Sequence, residues 1–168
     1  MDAVILRAFG GGERTGPSPV DRRGKGTKHT LMVDRHGVPL AIRTAGANAS
    51  DHTQIIPLVV EYPKITGKPG RPKEAPDELY ADRGDDSDTT RWILAWLGIE
   101  PHIARRETPQ GSGLGKVRWV VERTVSWIKG MRRLRIRYDR LGVIQDAWNT
   151  LAACVICFRM LHEDDLAE

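Results

Sequence analysis

Short apolar runs separated by turn residues predict five β-strands in this chain. Residues 27–33 and 38–45 flank the turn segment 34–37, a pattern typical of an antiparallel hairpin. Two segments rich in Gly, Pro and basic residues, 10–26 and 64–76, predict loops. The remaining strand-like runs are residues 2–6, 78–81 and 99–104.

Apolar residues that recur at three- and four-residue spacing predict four helices. The first begins at Asp51, because Asp51 and Gln54 have capping-box spacing, and it ends at Pro63. The second carries an apolar face predicted to lie in the core, formed by Trp92, Ile93, Trp96 and Leu97. The last, residues 143–161, is strongly apolar and is predicted to pack across the sheet. This order of elements predicts an α/β fold with a mixed sheet flanked by helices.

The third helical pattern lies in residues 116–140, a basic segment that also contains tryptophans. Its predicted apolar stripe consists of Val117, Val121, Thr124, Val125 and Ile128. At about 100° per residue, Arg118, Glu122 and Lys129 lie within roughly 40° of one another beside this stripe. Glu122 therefore has two interpretations: an i,i+4 ion pair with Arg118, or a carboxylate that helps to hold a divalent ion near a polyanion.

Composition and charge narrow the class of protein. The chain has 168 residues, 40% hydrophobic and 29% charged, as expected for one globular domain. No apolar run approaches membrane-spanning length, so we expect a cytoplasmic protein without membrane contact. The net charge is +4, and segment 116–140 holds nine Lys or Arg, which favours a polyanionic partner. Cys154 and Cys157 lie in an apolar helical pattern and are predicted to be reduced core residues.

Three carboxylates stand at positions from which they can converge. Asp2 lies on the first strand, Asp82 at the end of the fourth, and Glu122 on the third helix. Mg²⁺ and Mn²⁺ prefer oxygen ligands, so these acids suit two ions about 3.5–4 Å apart that generate a hydroxide and stabilise the leaving oxygen of a phosphodiester. Arg118 and Lys129 would then hold phosphates of the nucleic acid.

Several motifs occur in an order that resembles a known family. They are DAVILRA at 2–8, GGERTGPSPVDRRGKGTKH at 11–29, DRHGVPLAIRTAGANASD at 34–51, LYADRG at 79–84 and RWVVERTVSWI at 118–128. Together they are similar to the DDE transposases of the bacterial insertion sequence 5 family. The resemblance implies a ribonuclease H-like fold, with a catalytic domain over residues 1–161 and an acidic tail over 162–168.

The resemblance also implies a function, namely cutting and joining the DNA strands of an insertion sequence. It assigns Asp2, Asp82 and Glu122 as a catalytic triad that binds two Mg²⁺ or Mn²⁺ ions. The residues expected to bind DNA are Arg118, Arg123, Lys129, Arg132 and Arg133. The implied partners are the ends of the element, target DNA, further copies of the chain on DNA, and the product of an upstream reading frame.

Departures from the family pattern leave alternatives open. Gly115 stands where the family signature has tyrosine, and Asp85 replaces an aromatic residue, which adds negative charge beside Asp82. The family's usual upstream DNA-recognition region is not found in this sequence, so we expect little specificity for element ends from this chain alone. An inactive nucleic-acid-binding remnant and a ribonuclease H-like nuclease are the alternatives to an active transposase.

Overall fold

A computed structural model describes residues 1–67, 69–105 and 115–165 of the protein. The strands are β1 (Asp2–Arg7), β2 (Gly16–Pro17), β3 (Lys25–Val33), β4 (Pro39–Gly46), β5 (Glu78–Ala81) and β6 (Glu100–Ile103). The helices are α1 (His52–Val60), α2 (Asp88–Trp96), α3 (Gly115–Gly130), α4 (Arg132–Arg135) and α5 (Gly142–Asp165). None of the helices in these described ranges is long and apolar enough to span a membrane.

Strand β3 is the centre of a four-stranded antiparallel sheet. It pairs with β1 from Asp2 opposite Leu31 to Arg7 opposite Gly26, and it pairs with β4 and the short β2 as well. The predicted hairpin of β3 and β4 is therefore confirmed. Seven consecutive residues of β3 are buried because helices cover both faces of the sheet.

Strands β5 and β6 pair in parallel and form a second sheet of two strands. The α/β class is confirmed, but the prediction of one continuous mixed sheet is wrong, because the antiparallel and parallel ladders are separate. The two sheets meet at the start of β1, where the Met1 amino nitrogen donates a hydrogen bond to the Tyr80 carbonyl oxygen (2.6 Å). This contact places the first residues of β1 beside the end of β5.

Two apolar clusters lie on opposite faces of β3, because consecutive strand residues point to opposite sides. Met32 belongs to a cluster with α1, α2, β5 and β6, which includes Ile55, Leu58, Leu79, Leu94 and Ile103. Leu31 belongs to a cluster with α3, α4 and α5, which includes Val121, Ile128, Leu134, Ala152 and Ile156. The sheet is thus sandwiched between two layers of helix.

The basic segment 116–140 is not one helix. Helix α3 ends at Gly130, Met131 is extended, and the short α4 follows. The predicted stripe is confirmed for Val121, Thr124 and Ile128, which are buried, whereas Val117 is exposed. If α3 continued to residue 140, the basic residues after Gly130 would lie along the axis of this helix. The break instead directs this part of the chain back towards β1.

Arg137 shows the consequence of that break, because it is almost completely buried. Its backbone nitrogen donates to the Arg7 carbonyl oxygen (2.8 Å), and its guanidinium donates to the carbonyl oxygen of Asp139 (2.8 Å) and to the Thr27 hydroxyl (3.3 Å). This member of the basic block therefore joins parts of the fold together and is not available to a polyanion.

The Gly-rich segment 10–26 is attached to the rest of the molecule by backbone hydrogen bonds, although most of its residues are exposed. The Glu13 amide donates to the Arg140 carbonyl oxygen (2.9 Å), and β2 pairs with β3. Gly12 has φ +109°, and a β-carbon there would lie 2.2 Å from the Arg140 carbonyl oxygen. Only glycine fits both this backbone conformation and this close approach.

Two further predictions about helices α1 and α2 are wrong. Asp51 makes no side-chain hydrogen bond at the start of α1, because its carboxylate pairs with Lys28 instead (2.6 Å). On α2 the buried residues are Thr90 and Leu94, whereas Trp92 and Trp96 are 68% and 74% exposed. Helix α2 packs Thr90 and Leu94 against the core and leaves the indole rings of Trp92 and Trp96 exposed to solvent.

Helix α5 packs on β4 as predicted and continues to Asp165, past the expected boundary at residue 161. The rest of the predicted acidic tail, residues 166–168, lies outside the described ranges. Both cysteines carry free thiols, as predicted, but Cys154 is exposed and Cys157 is only partly buried, so the predicted core position is wrong for Cys154.

Candidate active site

The three candidate acids come from three elements, and two of them, Asp82 and Glu122, pair with one guanidinium group. Arg118 on α3 forms ion pairs with both: its Nη1 lies 3.1 Å from Asp82 Oδ2, and its Nε lies 2.9 Å from Glu122 Oε1. The i,i+4 ion pair expected for an ordinary helix is thus present. Arg118 also pairs with Asp82, the residue that follows β5. The helical pattern alone does not predict this second ion pair.

Asp2 lies close enough to this group for its ionisation to respond to it. Partial burial raises the pKa of the Asp2 carboxyl, the Ala3 amide and the positive charge of Arg118 lower it, and the negative charge of Glu122 raises it. The Ala3 amide donates to Asp2 Oδ1 (2.8 Å). Arg118 thus brings Asp82 and Glu122 together, and the charges of Arg118 and Glu122 act on Asp2 at the start of β1.

The position of Asp82 is set by a short 3₁₀ turn, Arg83–Asp85. The Arg83 amide donates to Asp82 Oδ1 (2.7 Å), and the Asp82 amide donates to Asp85 Oδ2 (3.2 Å). This reciprocal capping box satisfies backbone donors at the start of the turn and fixes the direction of both side chains. One Asp82 oxygen thus serves the turn and the other faces Arg118.

Next to Asp82 lies a second group of charges, Asp85, Asp51 and Lys28, whose association the sequence analysis did not predict. Asp85 is 4% exposed, and its pKa is raised to about 6, first by burial and then by the negative charge of Asp51. Lys28 Nζ lies 2.6 Å from Asp51 Oδ1 and also donates to the Ala49 carbonyl oxygen (2.5 Å). A lysine within an apolar strand was the available signal, because a buried ammonium group requires a partner.

A cleft of about 1210 Å³ opens beside Asp82 and Arg118. Tyr80 and Met32 contribute to its floor, and Val121 contributes from α3. The cleft is lined by both charged and apolar side chains, an arrangement that fixes the orientation of a bound ligand. Of the three candidate acids, Asp82 lines the cleft, whereas Asp2 and Glu122 are not among its lining residues.

Asp2, Asp82 and Glu122 provide only carboxylate oxygens, the donor type that Mg²⁺ and Mn²⁺ prefer. Within residues 1–67, 69–105 and 115–165, however, no three His, Cys, Asp or Glu side chains form a group that could hold a metal ion. Arg118 stands between Asp82 and Glu122 and neutralises part of their charge. The donor set therefore fits a hard cation by its chemistry, but Arg118 must move before Asp82 and Glu122 can act together.

The basic residues predicted to bind DNA fall into two groups. Lys129 and Arg132 are exposed, and exposed Arg133 lies over the Trp148 ring at 5.6 Å. Arg123 lies between the rings of Trp119 and Trp127, 4.9 and 4.8 Å from their centroids, and also donates to the His36 carbonyl oxygen. Arg123 is thus engaged within the fold, whereas Lys129 and Arg132 face solvent.

The chain belongs to the transposase DDE domain family, whose pattern matches residues 1–157. This family consists of DNA-transposing enzymes that generally use divalent metal ions. The chain is also 48% identical over 155 residues, 92% of its length, to a Burkholderia cepacia protein named "Putative transposase for insertion sequence element IS402", of which the match covers 74%. No solved structure matches the chain.

Proposed function

We propose that residues 1–161 form a ribonuclease H-like catalytic domain that cuts and joins the DNA strands of an insertion sequence of the insertion sequence 5 type. The observation that supports this proposal is the pairing of Asp82 and Glu122 with Arg118 beside an open cleft, with Asp2 within the electrostatic influence of Arg118 and Glu122. Family membership supplies the DNA substrate class. Strand cutting and joining is thus proposed for the site where the three acids meet.

In this proposal Asp2, Asp82 and Glu122 hold two Mg²⁺ or Mn²⁺ ions. When bound, such ions supply a nucleophilic hydroxide and stabilise the leaving oxygen of a phosphodiester. The capping box holds Asp82 in a fixed direction, and Arg118 moves from the carboxylates to a phosphate of the DNA. Asp82 and Glu122 would then keep a positively charged partner, because an ion would replace the guanidinium of Arg118.

Exposed cations after Glu122 extend the proposed DNA surface. Lys129, Arg132 and Arg133 contact backbone phosphates, which position DNA without reading its sequence. Sequence-specific recognition of element ends is assigned to the product of an upstream reading frame, and further copies of the chain assemble on DNA. The proposed setting is the cytoplasm, with the protein associated with DNA.

A specific observation favours one alternative, an inactive nucleic-acid-binding remnant. The ion pairs of Arg118 with Asp82 and Glu122 satisfy these two acids without any metal, so the same geometry stabilises a fold that only binds DNA. A ribonuclease H-like nuclease would share the acids and the hydrolytic step but would not join strands. The three functions differ in their products, so one experiment separates them.

The test incubates the chain with duplex DNA carrying the element's terminal repeat or a scrambled sequence, in Mg²⁺ or Mn²⁺, with and without the upstream product. We expect metal-dependent cleavage and joined products, and loss of at least about 10³-fold in rate for Asp82→Asn and for Glu122→Gln, since removing a catalytic group costs several kcal/mol. The matched control, Glu100→Gln, changes an exposed carboxylate on β6 and should leave the rate unchanged.

Each other outcome assigns a different function. Cleavage without joined products, under all of these conditions, would indicate a nuclease. DNA binding without any cleavage would indicate the inactive remnant. Cleavage that survives Asp82→Asn and Glu122→Gln would contradict the assignment of the active site itself.

A further inference from the structure

Helix α5 carries a continuous row of exposed, mainly apolar residues along most of its length. The row, called the α5 seam below, consists of Ile144, Ala147, Leu151, Cys154, Phe158 and Leu161. Ile144 is 39% exposed, Leu151 53%, Phe158 61% and Leu161 65%. These side chains lie outside both core clusters of the described structure.

The opposite side of α5 already fulfils the structural role of the helix. Gln145, Asn149, Ala152 and Ile156 are buried, and Asn149 Nδ2 donates to the Thr44 hydroxyl of β4 (3.0 Å). The fold of the single chain therefore does not require the α5 seam to be apolar. A second apolar side on a helix indicates a second packing partner.

The spacing of the α5 seam identifies that partner as another helix. From Ile144 to Leu161 the steps are three, four, three, four and three residues, which is the heptad pattern of helices that pack side by side. The apolar stripe spans more than two heptads. A flat apolar surface or an extended peptide would not select this alternation.

The order of side chains in the α5 seam identifies the helix as a second copy of α5. The spacing reads the same in both directions, so an antiparallel copy places Ile144 opposite Leu161, Leu151 opposite Cys154, and Ala147 opposite Phe158. In this arrangement the large side chains Ile144 and Leu161 pack against each other at both ends, and the small Ala147 packs against the ring of Phe158. A parallel pair would instead face Phe158 with Phe158 and Ala147 with Ala147, leaving one overfilled and one underfilled layer.

We propose that the protein self-associates through the α5 seam as a two-fold symmetric dimer with antiparallel α5 helices. Such an interface is isologous, because the same patch serves both copies. None of the described residues that line the cleft beside Asp82 belongs to α5.

The first test is the oligomeric state of the full chain by sedimentation equilibrium. We expect a dimer, and we expect Leu151→Glu and Phe158→Glu each to weaken association at least about tenfold, because central apolar residues dominate such interfaces. The matched control is Trp96→Glu, which places the same charge on an exposed apolar residue of α2 and should leave the dimer intact. Circular dichroism checks that all variants keep their helix content.

The second test determines the direction of the helices by cross-linking. In a background with Cys154→Ser and Cys157→Ser, one chain carries Ala147→Cys and another carries Phe158→Cys. Diamide oxidises two thiols to a disulfide and is itself reduced to the hydrazine. We expect a cross-linked dimer only when the two chains are mixed.

Two results would overturn the proposal. A monomeric wild-type chain at high micromolar concentration would show that the α5 seam does not bind a second copy. Cross-linking of the chain with Ala147→Cys to itself, with none in the mixture, would show a parallel arrangement and contradict the antiparallel pairing.

Discussion

At the scale of single residues, Arg118 decides the state of the candidate site. It pairs with Asp82 and Glu122, and its side chain is 46% exposed, so it can exchange these partners for others. A positive charge between two acids opposes the binding of a cation by the same acids. Removing the charge of Arg118 should therefore raise the affinity for divalent ions and lower the affinity for DNA.

We predict that Arg118→Gln binds Mn²⁺ about tenfold more tightly than the wild type, because one competing charge is removed from a partly solvated site. Calorimetric titration with Mn²⁺ measures this affinity without requiring activity. Lys129→Gln is the matched control, since it removes the same charge from the same helix. Unchanged or weaker Mn²⁺ binding by Arg118→Gln would contradict a competition between Arg118 and metal.

His29 governs a separate, pH-dependent contribution to stability. It is 2% exposed on β3, and burial, followed by the positive charge of Arg137, lowers its pKa to about 4. The unfolded chain binds this proton with a pKa near 6.5, so the neutral side chain favours the folded state above pH 6.5. This stability is lost as the pH falls from 6.5 to 4, by up to about 3 kcal/mol.

Replacing His29 tests this assignment. We predict that His29→Gln shows a smaller decrease in the free energy of unfolding between pH 7 and pH 4 than the wild type, as measured by urea denaturation. His36→Gln, in the turn between β3 and β4, serves as the control because the His36 side chain is exposed to solvent. An acid dependence that is identical in His29→Gln and the wild type would assign the pH effect to other groups.

At the scale of elements, α3 has an inner side, a side that faces the candidate site and an outer row of aromatic residues. Val121 and Ile128 pack in the core, and Glu122 faces Asp82 through Arg118. On the outer row, Trp119 and Trp127 enclose the guanidinium of Arg123. Cations on one helix therefore have different physical roles, depending on which side of the helix they occupy.

The difference between Arg123 and Lys129 can be measured directly. Arg123→Ala should lower the free energy of unfolding by about 1–2 kcal/mol, because two cation–π contacts and one hydrogen bond are lost. Lys129→Ala should leave stability unchanged but reduce the slope of log affinity for DNA against log salt by about 1. Equal changes in slope for both variants, with unchanged melting temperatures, would place Arg123 among the phosphate contacts instead.

At the scale of the whole molecule, the Gly-rich segment 10–26 joins distant parts of the chain. Glu13 bonds to the backbone of Arg140, and Thr27 bonds both to the Arg14 carbonyl oxygen and to buried Arg137. These contacts attach the chain after α4 to segment 10–26 and to β3. The backbone bond from Arg137 to Arg7 attaches the same part of the chain to β1.

We predict that Gly12→Ala destabilises the fold by about 1–3 kcal/mol more than Gly70→Ala. Both glycines have positive φ, +109° and +122°, so the backbone strain of alanine is similar at the two positions. Only Gly12 has a neighbour within 4 Å of the added β-carbon, so the difference isolates the clash. Thermal and chemical denaturation measure it; equal effects would show that segment 10–26 is not tightly packed.

The sequence by itself determined most elements and one side of α3. The strands predicted at 2–6, 27–33, 38–45 and 78–81 agree with β1, β3, β4 and β5 to within two residues, because their apolar runs are bounded by turn residues. The burial of Val121, Thr124 and Ile128 also follows from helical periodicity alone. The motifs identified the family for the same reason, since they preserve residue types in a fixed order.

Only the tertiary structure decided which apolar face met the core. Helix α2 offers Trp92 and Trp96 on one side and Leu94 on another, and periodicity cannot rank two apolar sides. Likewise, charge counts cannot separate buried Arg137 from exposed Arg132, since each is simply one positive residue in the same segment. The choice depends on the shape of the neighbouring surface, which local sequence does not contain.

The meeting of Asp82, Glu122 and Arg118 is likewise a product of tertiary structure. The i,i+4 ion pair of Arg118 and Glu122 is local and can be predicted from the sequence. The ion pair of Arg118 with Asp82, by contrast, joins positions 36 residues apart. It exists because β5 ends beside α3 and the capping box turns Asp82 towards it. Local spacing fixes which side of an element a residue occupies, whereas packing between elements fixes what that side touches.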